Sequence, residues 1–292
     1  MADGWLVTHA NCLDGATAAL VGVASGLSPI FVEPDRVEEG IRSVTDPRPI
    51  YLADVSVRAS EWPTWGPRVA HLLDHHQTAA PLSQYPNVTI DQTRSGAHLM
   101  YDYAVSQNWI APSPAWRRLI DAVQRYDLWK PDHEAGQNLN RLFQQLGWEW
   151  YRDRFHAGWV PLIPEEGQVL AEIIRDEAAF IHQHVSKAQR HTIPDGPTIA
   201  GVLLNAEGPV NEVCHTLLTQ GVGLVVVVKP DGRLSARSNA PIDAAHLMET
   251  LFHGGGHARA AGGRLPENAA LTSNTLASIL AQMGQELSQR LK

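Results

Sequence analysis

Cysteine is scarce: the 292-residue chain has two, Cys12 and Cys214. Two thiols so far apart exclude a disulfide framework and a CxxC zinc site. No run of about 20 apolar residues is present, so no bilayer-spanning helix is expected. The opening stretch MADGWLVTHANCLDG lacks a basic segment leading into an apolar core, which argues against a secretory signal and for the cytoplasm. Basic residues are also in deficit, 23 Lys and Arg against 31 Asp and Glu, for a formal charge of −8. That balance excludes a long track for duplex DNA, whose nonspecific affinity comes from neutralised phosphates. A short anionic substrate held by a few local cations remains open.

What is present is a folding composition, 44% hydrophobic and 18% charged, in a length that suits one large domain or two ordinary ones. The runs WLVT (5–8), PIFVEP (29–34), PIYLADV (49–55), RVAHLLDHH (68–76) and NVTID (87–91) read as strands. GATAALVGVAS (15–25), SGAHLMYDYAVSQN (95–108) and PAWRRLIDAVQRYDLW (114–129) carry helical spacing. Such alternation predicts an α/β fold with a doubly wound, mainly parallel sheet over residues 1–135. A helical connector is expected over 136–195, with one long amphipathic helix across 164–191 between Pro164 and Pro194. Residues 196–292 read as a smaller α/β domain, with KPDGR turning between two strands and a closing helix over 270–291. A cleft between the two domains is expected.

In a doubly wound sheet, ligands bind beyond the carboxyl ends of the strands. The first strand is followed by His9, Asn11, Cys12 and Asp14, the third by Asp54, and the fourth by Asp74, His75 and His76. Asp127, late in VQRYDLW, can reach the same rim. Asp14-Gly15 alone reads as a turn or helix cap, but carboxylates and imidazoles at several strand exits point to one centre. Hard oxygens mixed with imidazole nitrogen suit manganese or another divalent first-row ion. Farther on, the glycine run in GGGHARAAGG (254–263) lets backbone approach a ligand closely and suggests an anion nest near a helix start. His182, His184 and His191 read as a solvated face of the connector helix. Trp62, Trp65, Trp148 and Trp150 read as packing, whereas Trp129 lies near the expected rim.

The ordered stretches HANCLDGATAA, LADVS, LLDHHQTA, DQTRSGAHLMYDY and VQRYDLW resemble the motifs of the DHH phosphoesterase superfamily. SARSN followed by GGGHARAAGG resembles the DHH-associated C-terminal domain. The resemblance implies up to two Mn2+ ions on His9, Asp14, Asp54, His75 and Asp127, with Asp54 bridging. Asp74 and His76 would orient neighbours or face the scissile phosphate, His76 and His257 stabilising charge in the transition state. Arg237, Ser238 and His257 would contact substrate phosphate, with Gly255 and Gly256 shaping the pocket and the lobe closing over the metals. It implies hydrolysis of phosphodiester or phosphomonoester bonds by an activated water, in short oligonucleotides cut exonucleolytically or in small nucleotides. A pyrophosphatase or polyphosphatase is the nearest alternative, and a nucleotide-binding regulatory protein without turnover is another. The chain departs from the family's Asp-x-Asp-Gly by reading Cys12-Leu13-Asp14-Gly15, which places a soft thiol where a hard ligand is usual.

Overall fold

The computed structural model describes residues 2–130 and 132–290. The last residue of the expected closing helix, Leu291, lies outside them. Contacts divide the chain into two units, with the division between Leu170 and Ala171.

The first unit contains β1 (Gly4–His9), α1 (Leu13–Ser25), β2 (Leu27–Val32), α2 (Val37–Ser43), β3 (Ile50–Ala53), α3 (Trp62–Trp65), β4 (Val69–Asp74) and β5 (Val88–Ile90). α4 (Gly96–Ser106), α5 (Pro114–Asp127), α6 (Glu134–Phe155) and the start of α7 (Pro164–Val185) follow. The strands form one sheet in the order β2-β1-β3-β4-β5, every pair parallel. Side chains alternate between its faces, as strand geometry requires. Leu6, Tyr51, Ala53 and Leu73 join the core under α1, α4 and α5. Val7, Ile50, Leu52 and Leu72 join a second core with Val37 and Ile41 of α2. The strand order reverses between β1 and β3, so the crevice for a ligand opens beyond His9 and Ala53. Among the described residues, no helix is long and apolar enough to cross a membrane.

α7 begins in the first unit and ends in the second. Its start is fixed by Glu166, which is 5% exposed. That carboxylate accepts hydrogen bonds from Arg154, Trp150 and the Ile163 amide. The expected helix over 164–191 stops at Val185, because 189–192 becomes the edge strand β6 (Gln189–Thr192). Its pairing partner is β7 (Thr198–Leu203).

The second unit continues with α8 (Val210–Thr219), β8 (Leu224–Val228), β9 (Arg233–Ser238), α9 (Ala244–Phe252), β10 (Gly255–His257), β11 (Ala260–Arg264) and α10 (Ser273–Arg290). Its sheet runs β10-β11-β9-β8-β7-β6. α9 and α10 cover one face through Leu224, Val226 and Leu234. α8 and the end of α7 cover the other through Ala200, Val225 and Val227. KPDGR turns β8 into β9, with the Lys229 amide donating to the Arg233 carbonyl at 2.8 Å. The expected solvated histidine face holds for His182 but not for His184. His184 is 4% exposed, its ring 4.0 Å from that of Phe180, with Nε2 3.0 Å from Asn205 Oδ1. That buried, hydrogen-bonded ring holds the end of α7 to the second unit.

Candidate metal and phosphoester site

The backbone turns sharply where β1 and β3 end. Asn11 and Asp54 have φ of 55° and 60°, a left-handed conformation that a structure keeps only where its surroundings enforce it. At Asp54 the enforcement comes from Gly96, where an added Cβ would lie 2.5 Å from the Asp54 Cβ. Only glycine lets the start of α4 sit that close.

That approach also organises Asp14, which is 1% exposed. Its Oδ2 accepts from the Gly96 amide at 2.6 Å and its Oδ1 from the Ala97 amide at 3.1 Å. Asp14 therefore caps a helix, though not its own. It occupies the positive N-terminus of α4 alongside the Ser95 cap, as the helix dipole favours. Gln124 steadies the same corner, with Oε1 3.3 Å from the Ser95 amide and 2.5 Å from His98 Nδ1. These backbone donors lie outside the expected residue set. The signal for them was Ser95-Gly96 at a helix start.

His75 sits among three acids. Its Nε2 lies 3.2 Å from Asp54 Oδ1, 3.7 Å from Asp127 Oδ2 and 4.0 Å from Asp14 Oδ2. His9 Nδ1 is 3.6 Å from the other Asp54 oxygen. The structure thus gathers all five residues expected to hold metal. It also brings Cys12 within 4.8 Å of ligand atoms of His9 and Asp54. Asp14, His75 and Asp127 form a second such group, and Asp54, Asp74, His75 and His76 a third. Asp54 Oδ2, Asp74 Oδ2 and Asp127 Oδ2 are buried with no hydrogen-bond partner. Buried carboxylate oxygens without donors are costly unless a cation answers them, so the donor set fits a divalent ion.

The proton balance reflects the same demand. Burial, then repulsion from Asp54 and Asp127, pushes the Asp14 carboxyl well above the usual range. Burial, with Asp54 also repelling, raises Asp127 to about 6, although His75 opposes the rise. Burial raises the Cys12 thiol too, with Asp54, Asp127 and Asp14 adding to it. Asp54 moves the other way: burial would raise it, but the hydrogen bond with His75 and the nearby imidazole of His9 hold it below the ordinary value. Burial also disfavours charge on His75, yet Asp54, Asp127 and Asp14 lift it to about 10.

Asp74 is fully buried and directs the triplet. Its Oδ1 accepts from the His75 amide at 2.7 Å and lies 2.7 Å from His76 Nδ1. Burial opposes a charge on His76, but Asp74 and then Asp54 raise it to about 9. A cavity of about 360 Å3 opens beside these groups, lined by Asp54, Asp74, His76 and Thr78, with Ser56 and Arg58 from the segment after β3. Arg58 brings a cation that the motif reading did not select. Trp129 is 37% exposed, with its ring 4.7 Å from that of His133 and 6.0 Å from that of Tyr126.

In the second unit, GGGHARAAGG forms the hairpin β10–β11, with Gly256 at φ 138°. It leaves the C-terminal end of α9 instead of opening a helix, so the expected nest at a helix start is corrected. Arg237 on β9 pairs across the sheet with Ala260, and Asn211 Oδ1 accepts from its Nη2 at 2.7 Å. Ser238 is 5% exposed, its hydroxyl 2.7 Å from the Ile242 carbonyl and 3.1 Å from the Ala258 carbonyl in the hairpin turn, which ties the hairpin to β9.

The DHHA1 domain family matches residues 207–289. Oligoribonuclease NrnB of Bacillus subtilis (strain 168) is 28% identical over 109 residues, 32% of this chain and 27% of that protein. The match therefore spans about a quarter of that relative's length. The second unit thus carries a DHHA1 domain. Solved structures resemble this protein along its length. The DHH domain of a member of a family of ribosomal proteins gives a TM-score of 0.69 at 12% identity, covering 98% of this chain and 86% of that one. The pGpG-specific phosphodiesterase PggH of Vibrio cholerae gives 0.64 at 14%, covering 97% and 99%. At these identities the likeness is one of fold.

Proposed function

We propose that the protein hydrolyses phosphodiester or phosphomonoester bonds in short oligonucleotides or small nucleotides, with Mn2+ held by His9, Asp14, Asp54, His75 and Asp127. The observation that carries the reading is the pair of buried, undonated oxygens, Asp54 Oδ2 and Asp127 Oδ2, on two acids that both approach His75 Nε2. Bound there, a divalent ion supplies an activated water and neutralises charge on phosphoryl oxygens. Asp54 belongs to all these donor groups except that of Asp14, His75 and Asp127, which supports a bridging role. Asp74 orients His76 through Nδ1, and His76 lines the cavity with Arg58. His76 stabilises charge on the leaving oxygen, and Arg58 adds attraction for an anionic substrate. In the DHHA1 unit, Arg237, steadied by Asn211, and His257 bind substrate phosphate, with Gly255 and Gly256 leaving room for it. Ser238 holds the hairpin that presents them. The activities of NrnB and PggH, an oligoribonuclease and a pGpG-specific phosphodiesterase, support a nucleotide substrate.

A hydrolysis screen with Mn2+ across linear dinucleotides, short RNA, bis-para-nitrophenyl phosphate and pyrophosphate tests the reading. Turnover of the dinucleotides is expected, and Asp54→Ala should lower it by at least about 100-fold, the upper end of what losing even an outer-shell partner costs. Arg237→Ala should raise KM with metal content unchanged. Preferential cleavage of pyrophosphate would replace this reading with a pyrophosphatase. Dinucleotide binding without turnover would make the protein a regulatory binder.

A further inference from the structure

We infer that His9, Cys12 and Asp54 form a metal position of their own that prefers zinc to manganese, so that the centre is an unequal pair of sites. The inference rests on the metal-centre reading above. Its geometry is specific. A tetrahedral zinc shell with bonds of about 2.0–2.3 Å sets its ligand atoms about 3.3–3.8 Å apart. His9 Nδ1 and Asp54 Oδ2 are already 3.6 Å apart, and the Cys12 sulfur lies within 4.8 Å of ligand atoms of both residues. Asp54, 2% exposed, brings an oxygen that no hydrogen-bond donor satisfies.

As the cap of the helix it begins, Cys12 is a weak choice. Cys12 is the N-cap of α1, with extended backbone at φ −119° and ψ 135°, and its sulfur gives the Gly15 amide only a weak acceptor, short of a capping hydrogen bond. Ser, Thr, Asp or Asn would satisfy an orphan amide there and add about 1 kcal/mol. A cysteine gives that up. What it gains is a sulfur directed toward His9 and Asp54, one residue after the left-handed turn at Asn11. Thiolate, imidazole and carboxylate together suit zinc, whose softness manganese lacks. The other group, Asp14, His75 and Asp127, offers only oxygens and an imidazole, which suit manganese or magnesium. The two groups differ in softness, and the Asp54–His75 contact at 3.2 Å links them.

Cobalt reports such a thiolate directly. In oxygen-free buffer, Co2+ added to the full chain should give a near-ultraviolet thiolate-to-cobalt charge-transfer band. Cys214 is fully buried in the apolar core under α8, so the band belongs to Cys12. Cys12→Ser should abolish the band, keep one cobalt bound and weaken zinc binding at least tenfold, while circular dichroism stays native. Cys12→Asp should shift competition at this position from zinc toward manganese. Cobalt binding to the wild type without the band, or unchanged zinc–manganese competition in Cys12→Asp, would overturn the inference and leave the metal centre standing. A wild-type chain that takes up no Co2+, Zn2+ or Mn2+ would sink the metal-centre reading as well.

Discussion

At the scale of single residues, the centre holds more negative charge than its own donors can answer. Asp127 measures the imbalance. Its carboxyl is raised to about 6 by burial and by Asp54. A carboxylate with a raised folded pKa withdraws stability above its unfolded pKa, and the loss grows until pH passes the folded value. Asp127→Asn should therefore stabilise the chelated protein by about 1–3 kcal/mol, two pKa units at about 1.4 kcal/mol each. The gain should be small near pH 4, grow to about pH 6 and then level off. Urea unfolding in EDTA at several pH values would measure it. An asparagine variant no more stable than wild type at neutral pH would mean that Asp127 is not held under charge repulsion. The same substitution should weaken Mn2+ binding. A gain in metal-free stability together with a loss of metal affinity marks a residue kept for a ligand.

At the scale of elements, the site depends on α4 meeting the exits of β1 and β3. Gly96→Ala separates two opposing effects. In an exposed helix, alanine in place of glycine stabilises by up to about 1 kcal/mol. Here the new Cβ would stand 2.5 Å from the Asp54 Cβ and 2.9 Å from its amide nitrogen. Overpacking of that kind costs about 1–3 kcal/mol, so the net sign should be destabilising. α4 should also draw away from Asp14, lowering Mn2+ affinity. Chemical unfolding combined with a metal titration checks both effects, and a stabilised variant with wild-type affinity would refute the close packing.

The sheet and its exits were legible at this scale because apolar runs alternate with helical spacing, and a parallel sheet delivers its polar residues at one rim. The acid at 14 reaching the amides of 96 and 97 was not legible, because that contact joins residues 82 apart in sequence. The glycine run was misplaced for a related reason. It carries the composition of a loop entering a helix, whereas the short apolar α9 in front of it supplies a helix exit. His184 was assigned to solvent because its partner Asn205 lies beyond β7.

At the scale of the whole molecule, the residues proposed to hold metal all lie in the first unit, while Arg237 and His257 lie in the second. A metal that binds only the folded first unit stabilises that unit alone, by about 2.7 kcal/mol at a hundred times its dissociation constant. Calorimetry should then show two transitions, of which Mn2+ raises one and leaves the other in place. A single transition moving as a whole would mean that the two units unfold as one, with α7 carrying the coupling.

Asp14 has a further consequence for how this centre could decay. Because its oxygens hold the first amides of α4, losing that carboxylate unsettles the architecture whether or not chemistry is still performed. Asp127 has no comparable structural duty, and its removal relieves repulsion. Under the function proposed above, a descendant released from selection for turnover would shed the residue at 127 early and keep the one at 14. Among divergent copies of this chain, the later acid is therefore the marker of a working enzyme, and the earlier one marks only a folded protein.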